Sequence, residues 1–216
     1  MIKKWMIFCL IVLGFQASFA TSLMNTVSLE ASEEVLGDTG INIAKSASVS
    51  MTSDKLPLVG AGLRTKFMFN VYVVQIFNNA PQTVKRNATE VLDSVAAATH
   101  SVVHLSFLRN VKNDQIRTSF QEALIKNKVD VNSASIQSFF QAVQQGGAAQ
   151  DGSELALILS HLPNGMDQIT YVSPEGKLFF VEGPGLVKAI LSIWLGTPAD
   201  SGLQSCKNEL LLPRSF

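Results

Sequence analysis

The sequence is short of charge, of cysteine and of long apolar runs, and each shortage removes a class of function. Charged residues make up 16% of the 216, with 17 Lys and Arg against 17 Asp and Glu. No block of Lys or Arg occurs, so a phosphate-neutralising surface, and with it a nucleic-acid partner, is not expected. The two cysteines, Cys9 and Cys206, are too few for a disulfide-stapled scaffold. The apolar run Trp5 to Phe15 falls short of the roughly twenty residues of a bilayer span. It follows Lys3-Lys4 and precedes Gln16-Ala17-Ser18-Phe19-Ala20, which puts small residues at the cleavage positions of a secretory signal peptide over 1–20. Excision removes two Lys and no acid, leaves a formal net charge of −2, and takes Cys9 away. Cys206 then has no intrachain partner and is read as a packed small hydrophobe. These features predict a soluble exported protein, periplasmic in a bacterium and secreted otherwise, with no stable membrane insertion once the signal is gone.

What is present is 47% hydrophobic residues, enough for one packed core. Residues 21–50 are rich in Ser, Thr, Ala and Glu and read as a polar lead-in with at most a short helix or edge strand. A domain over 51–212 follows. Its aromatic and β-branched stretch Phe67 to Phe77 predicts a strand, as does Ser101 to Leu108. Ile116, Phe120 and Leu124 recur on one face of a helix over Lys112 to Asn127, with Asn113 or Asp114 as its cap. Ile136, Phe139, Phe140 and Val143 do the same for Ser133 to Gln145. Strands at Glu154 to Leu159, Gln168 to Val172 and Leu178 to Val181 follow, the last two joined through the turn Ser173-Pro174-Glu175-Gly176. Pro184 and Gly196 bound a helix over Gly185 to Leu195, with Pro184 in its first turn, and this helix is apolar around most of its circumference. A short helix over Thr89 to Ala98 and a last one near Leu203 to Leu211 complete the chain. Hairpins with helices inserted between them predict an α+β domain.

The candidate chemistry is sparse. His100 and His104 have a metal-like spacing, but on a strand their rings would lie about 13 Å apart, too far for one ion. His161 stands alone. Gly60-Ala61-Gly62-Leu63-Arg64-Thr65 begins like a dinucleotide loop, yet Thr65 replaces the third glycine and strand-like residues follow where a helix must start. No cofactor is expected, and the glycines fit a bulge or a close backbone approach. Arg64 precedes the apolar stretch and reads either as an anion anchor or as a sheet-edge cation lying along apolar surface. Tyr72 reads as a second donor or as a core ring with a wet hydroxyl.

Four segments, Leu58 to Arg64, Val71 to Val74, Phe107 to Val111 and Ile193 to Pro198, together resemble the chalcone isomerase-like family in its bacterial exported branch. The resemblance implies an antiparallel sheet packed by helices on one face, an open-faced sandwich with a ligand cleft between the layers. It also implies that Arg64 holds an anionic oxygen and that Tyr72 matches the fatty-acid-binding members, where the enzymes place Thr. The hydroxyl positions of the enzymes fall at Ile116 and Ile193, which cannot donate a hydrogen bond to a developing charge.

The expectation is therefore an exported, non-catalytic domain whose partner is a small apolar carboxylate such as a fatty acid, with Arg64 and Tyr72 as ligand-binding residues and no catalytic or metal-binding ones. The alternatives are an isomerase acting on a phenolic or enone substrate and a periplasmic protein-interaction module, with the oligomeric state open. One geometric tension stands. On a single straight strand Arg64 and Tyr72 would lie about 26 Å apart. They meet only if the chain reverses near Phe67-Met68-Phe69, which are poor turn formers.

Overall fold

The computed structural model describes residues 26–51 and 54–214, so the segment read as a signal peptide lies outside the described residues. Eight strands form one antiparallel sheet in sequence order: β1 (Val27–Val35), β2 (Asn42–Val49), β3 (Asp54–Lys66), β4 (Phe69–Asn78), β5 (His100–Phe107), β6 (Glu154–His161), β7 (Asp167–Val172) and β8 (Leu178–Gly183). Helix α1 (Val91–Ala96) is inserted between β4 and β5, and α2 (Asn113–Lys126) and α3 (Ala134–Gln145) between β5 and β6. Helices α4 (Leu186–Leu195) and α5 (Ser201–Leu210) follow β8. The α+β architecture is the one the sequence predicts. No helix among the described residues is long and apolar enough to cross a membrane.

Strand alternation gives the sheet two faces. Tyr72, Val74 and Ile76 on β4 and Val103, Leu105 and Phe107 on β5 point into the main core with the helices. The intervening residues point the other way, and there the β1–β2 hairpin covers them. Leu36 and Ile43 pack on Ala61 and Val73, and Ala44, Ala47 and Val49 pack with Phe77, Val102 and Ile158. Gln75 fixes the overlay, accepting from the Ala44 N–H at 2.7 Å and donating to the Asn42 carbonyl at 3.3 Å. The polar stretch expected to hold at most a short helix or an edge strand is thus a two-stranded second layer. Its buried residues mix Ile43 and Val49 with Ala and Ser, and register shifts in the β1–β2 pairing leave no period of two.

Helix boundaries differ from expectation in small ways with clear causes. The Gln115 carboxamide accepts from the Lys112 N–H at 3.0 Å, so the cap of α2 is Lys112, one residue before Asn113. Gly185, at φ 67°, caps α4, which leaves Pro184 outside the first turn. Asn127 ends α2 as expected and also donates to the Ser192 and Thr197 carbonyls at 3.1 and 3.0 Å, joining the C-terminal ends of α2 and α4.

Helix α5 and strand β3 approach each other backbone to backbone. A Cβ on Gly60 would overlap the Leu210 carbonyl oxygen, and one on Gly62 would lie 2.5 Å from the Cys206 carbonyl oxygen. From the helix side, a Cβ on Gly202 would overlap the Thr65 carbonyl. The small residues of Gly60-Ala61-Gly62 therefore serve a backbone-to-backbone approach, the reading preferred over a dinucleotide loop. Gly60→Ala places its methyl against a helix carbonyl that can move only with α5. It should destabilise the protein by about 1–3 kcal/mol in denaturant unfolding, and an unchanged midpoint would show that α5 is loosely held.

His161, expected to stand alone, joins four elements. Its Nδ1 lies 2.6 Å from Asp167 Oδ1 and its Nε2 2.7 Å from the Ala96 carbonyl, while Asp167 Oδ2 accepts from the Val187 N–H at 2.9 Å. Both ring nitrogens face acceptors, so the imidazolium is the favoured form. The hydrogen bond to Ala96 is the largest influence raising its pKa above the ordinary 6.5, partial burial opposes it, and the bond to Asp167 adds to the rise. A raised folded-state pKa contributes stability that is complete below the unfolded value and is lost as pH rises through the folded one. The Tm should fall as pH rises above the ordinary imidazole value of 6.5, and His161→Gln should flatten that fall, with an equal slope in the variant assigning it to other groups.

Candidate functional site

The β3–β4 hairpin brings the two sequence-predicted site residues together. Lys66 pairs with Phe69 and Arg64 lies directly opposite Tyr72, so the chain reverses over Phe67 and Met68. The reading of Phe67 to Phe77 as one strand is corrected accordingly: β4 begins at Phe69, and the 26 Å separation does not exist. Phe67 and Met68 adopt φ of 51° and 66°, the positive values that a two-residue hairpin of the I′ kind demands at both positions. Long pairing on both sides, with β4 buried without a break from Tyr72 to Asn78, fixes the register and imposes the turn on residues that do not favour it.

Arg64 is 4% exposed. Its Nη1 and Nη2 donate to the two carboxylate oxygens of Asp200 at 2.5 and 2.6 Å, and Nη1 also donates to the Thr65 carbonyl at 2.6 Å. Asp200 is at the same time the N-cap of α5, accepting from the Leu203 N–H at 2.9 Å. Burial is the largest single influence and works against the guanidinium charge, but the hydrogen bonds to Asp200 and the surrounding charge interactions together outweigh it and raise its pKa. For Asp200 burial again opposes the charge, and the bonds from Arg64 and Leu203 hold the carboxyl below its ordinary value. Neither sequence reading of Arg64 is complete, since it is neither a sheet-edge cation nor a free charge. Its fork faces an internal carboxylate, while Nε and the second hydrogen of Nη2 have no hydrogen bond among the described residues.

The Tyr72 hydroxyl accepts from the Trp194 indole N–H at 3.1 Å, and its ring meets Phe107 edge-on with centroids 5.7 Å apart. Burial raises the phenol above its ordinary value. It therefore stays protonated at neutral pH and keeps one hydrogen to donate.

Arg64 and Tyr72 both line a small cavity of about 40 Å³, whose other walls include Leu105, Phe107, Ile116 and Phe120. A wider cleft of about 450 Å³ between the hairpin tip and α2 shares Lys66, Val71, Val111, Gln115 and Ser119 with it. The two adjoin along these shared residues, and Arg64 and Tyr72 line the inner one alone. Ile116 stands on its wall, and Ile193 is buried in α4. On the opposite face of the sheet a polar groove of about 620 Å³ includes His104, Glu154 and Glu175. Its acids and lack of Lys or Arg make it a poor place for a carboxylate. His100 and His104 lie on β5 as expected, and no group of metal-ligating side chains occurs among the described residues. Cys206 is fully buried, and burial raises its thiol above the ordinary value.

Sequence reasoning missed Asp200 and the donor role of Trp194. Asp200 shows as a cap signal before α5, but nothing local points to a partner 136 residues away.

A structure of a fatty-acid binding protein from Arabidopsis thaliana matches with a TM-score of 0.59 at 18% identity, covering 82% of this chain and 95% of that one. The likeness is one of fold. No curated protein matches. The family model described as chalcone isomerase-like matches residues 38–211, which takes in the sheet from the β1–β2 turn onward and every helix. The chain thus belongs to the chalcone isomerase-like family.

Proposed function

We propose that the protein binds a small apolar carboxylate, a fatty acid in the simplest case, without transforming it. One observation carries the reading: a buried cation and a protonated phenol line a small cavity walled mainly by apolar side chains, with Lys66, Gln115 and Ser119 on the side it shares with a larger cleft. Since one water needs roughly 10–15 Å³ of such space, the inner cavity suits a head group of about three heavy atoms and no chain. The tail belongs in the outer cleft, against Phe69, Val71 and Val111. The fatty-acid binding of the Arabidopsis thaliana neighbour supports this assignment. Ile116, on the cavity wall, supplies neither proton nor oxyanion contact, which supports binding over isomerisation. Export follows from the first twenty residues, and intact mass of protein from its native compartment should begin at Thr21, whereas a mass retaining Met1 to Ala20 would remove that part of the proposal.

Asp200 changes what Arg64 can do. Three of its five N–H donors are already committed, so a ligand carboxylate meets a balanced pair and not a bare cation. Calorimetry should give a dissociation constant for a medium-chain acid that rises about tenfold in Arg64→Ala, the lower end of what a charge-assisted bond contributes. The matching alcohol should change little. Asp200→Asn keeps a good helix cap but frees the cation, and should tighten acid binding by about tenfold for a gain of roughly 1.4 kcal/mol. Acid affinity unmoved by either change would make Arg64–Asp200 a structural clamp alone. Saturable cyclisation of a chalcone, lost in Arg64→Ala, would put an enzyme in place of a binder.

A further inference from the structure

The β3–β4 tip holds three consecutive large apolar residues in solvent, Phe67 at 83%, Met68 at 99% and Phe69 at 59% exposure. Scattered exposed apolar residues are ordinary, but three adjoining ones at the apex of a protruding turn are not. The two at the apex also sit in the left-handed region, where Asn-Gly would be at ease and Phe-Met is strained. Strained backbone is commonest where function requires particular side chains. Cations flank the tip: the Arg109 guanidinium stacks 4.7 Å from the centre of the Phe69 ring, and the Lys66 ammonium lies 5.9 Å from that of Phe67. Glu122 lies 3.7 Å from Lys66, and Asp114 lines the cleft beside Arg109. Apolar side chains at the apex with cations at its base match the layering of a bilayer surface, acyl chains below anionic head groups.

We propose that this tip docks the protein on a lipid bilayer, Phe67 and Met68 entering the interface while Lys66 and Arg109 meet anionic head groups. The same Lys66, Phe67, Phe69 and Arg109 border the outer cleft, so a docked protein presents the mouth of that cleft to the membrane. Exchange of an acyl ligand across that mouth rests on the carboxylate-binding reading above, whereas the bilayer contact does not. A convex tip of two residues offers little area for a second copy of the chain, which disfavours self-association as its use.

The test is co-flotation of purified protein with phosphatidylcholine vesicles containing phosphatidylserine, every variant carrying the same N-terminus. Wild type should float with the vesicles. Phe67→Asn with Met68→Gly should reduce partitioning at least about tenfold, the order expected for two large side chains withdrawn from the interface. The same double variant should raise the Tm, because it relieves both positive-φ residues, so lost binding cannot be put down to misfolding. Met68→Gly alone should weaken flotation severalfold and leave the calorimetric affinity for a soluble medium-chain acid unchanged, since Met68 does not line the cleft. Arg109→Gln should reduce the preference for phosphatidylserine. Wild type that stays unbound, or a double variant that floats as well, overturns the proposal. So does a wild-type dimer that the double variant converts to monomer without vesicle binding in either. If vesicles bind and no acid does, docking stands and the ligand reading falls.

Discussion

The contact on which the site depends is the close approach of α5 to β3. A helix can sit backbone-to-backbone on a strand only where neither carries side-chain bulk, and Gly60, Gly62 and Gly202 clear that space from both sides. The approach puts the first residue before α5, Asp200, beside the inward-facing Arg64 two residues beyond Gly62. A larger residue at any of the three positions would lift the helix and separate the pair, leaving a buried cation to be solvated by an apolar cavity. Packing at one seam thereby determines electrostatics some residues away.

The pair sets the character of the cavity. An unpaired guanidinium at this depth would cost far more than the protein could spare. With Asp200 on one edge of the fork, the cation is kept charged while the edge without a protein partner remains available. Tyr72 is arranged on the same principle, since Trp194 occupies a lone pair of its oxygen and leaves its hydrogen unassigned. Each donor is held in place by a protein partner that does not use up its capacity, and such preorganisation lowers the cost of ordering a bound group.

Much of the helix and strand content was legible because it follows from periodicity that burial enforces locally. Ile116, Phe120 and Leu124 all face the core of α2, and α4 is buried around most of its surface. Glycine spacing in Gly60-Ala61-Gly62 correctly indicated a close backbone approach but could not say to what. Three things were not legible. The β1–β2 layer buries Ser32, Ala44, Ser46 and Ala47 beside Ile43 and Val49, and register shifts in its pairing break the period of two that would have shown it. The reversal at Phe67-Met68 contradicts turn propensity and exists because the flanking strands pair in a fixed register. The partnership of Arg64 with Asp200 joins the start of the domain to its last helix, a separation at which local pattern carries no information. Arg64 and Tyr72 stood out as a cation and a phenol beside an apolar stretch, the family resemblance implied their ligand-binding roles, and their meeting depends on the very turn that propensity argued against.

That turn also explains why the cleft opens where it does. On the inner face, α5 closes the sheet over β3 by direct backbone contact, and α2 stands off from the hairpin end by the width of the cleft. Across the outer face, the β1–β2 layer covers β3 and β4. The end of the hairpin projects beyond both layers, so its apex residues find no protein surface to bury them. Asn and Gly would satisfy such an apex with less strain and more solvent contact. Phe67 and Met68 satisfy neither the backbone nor water, and a sequence that agrees with its fold at the glycine seam and along the buried strands departs from it at this one exposed place. Local disagreement of that kind is expected where function constrains a sequence against its fold, and here it lies beside the mouth of the cleft.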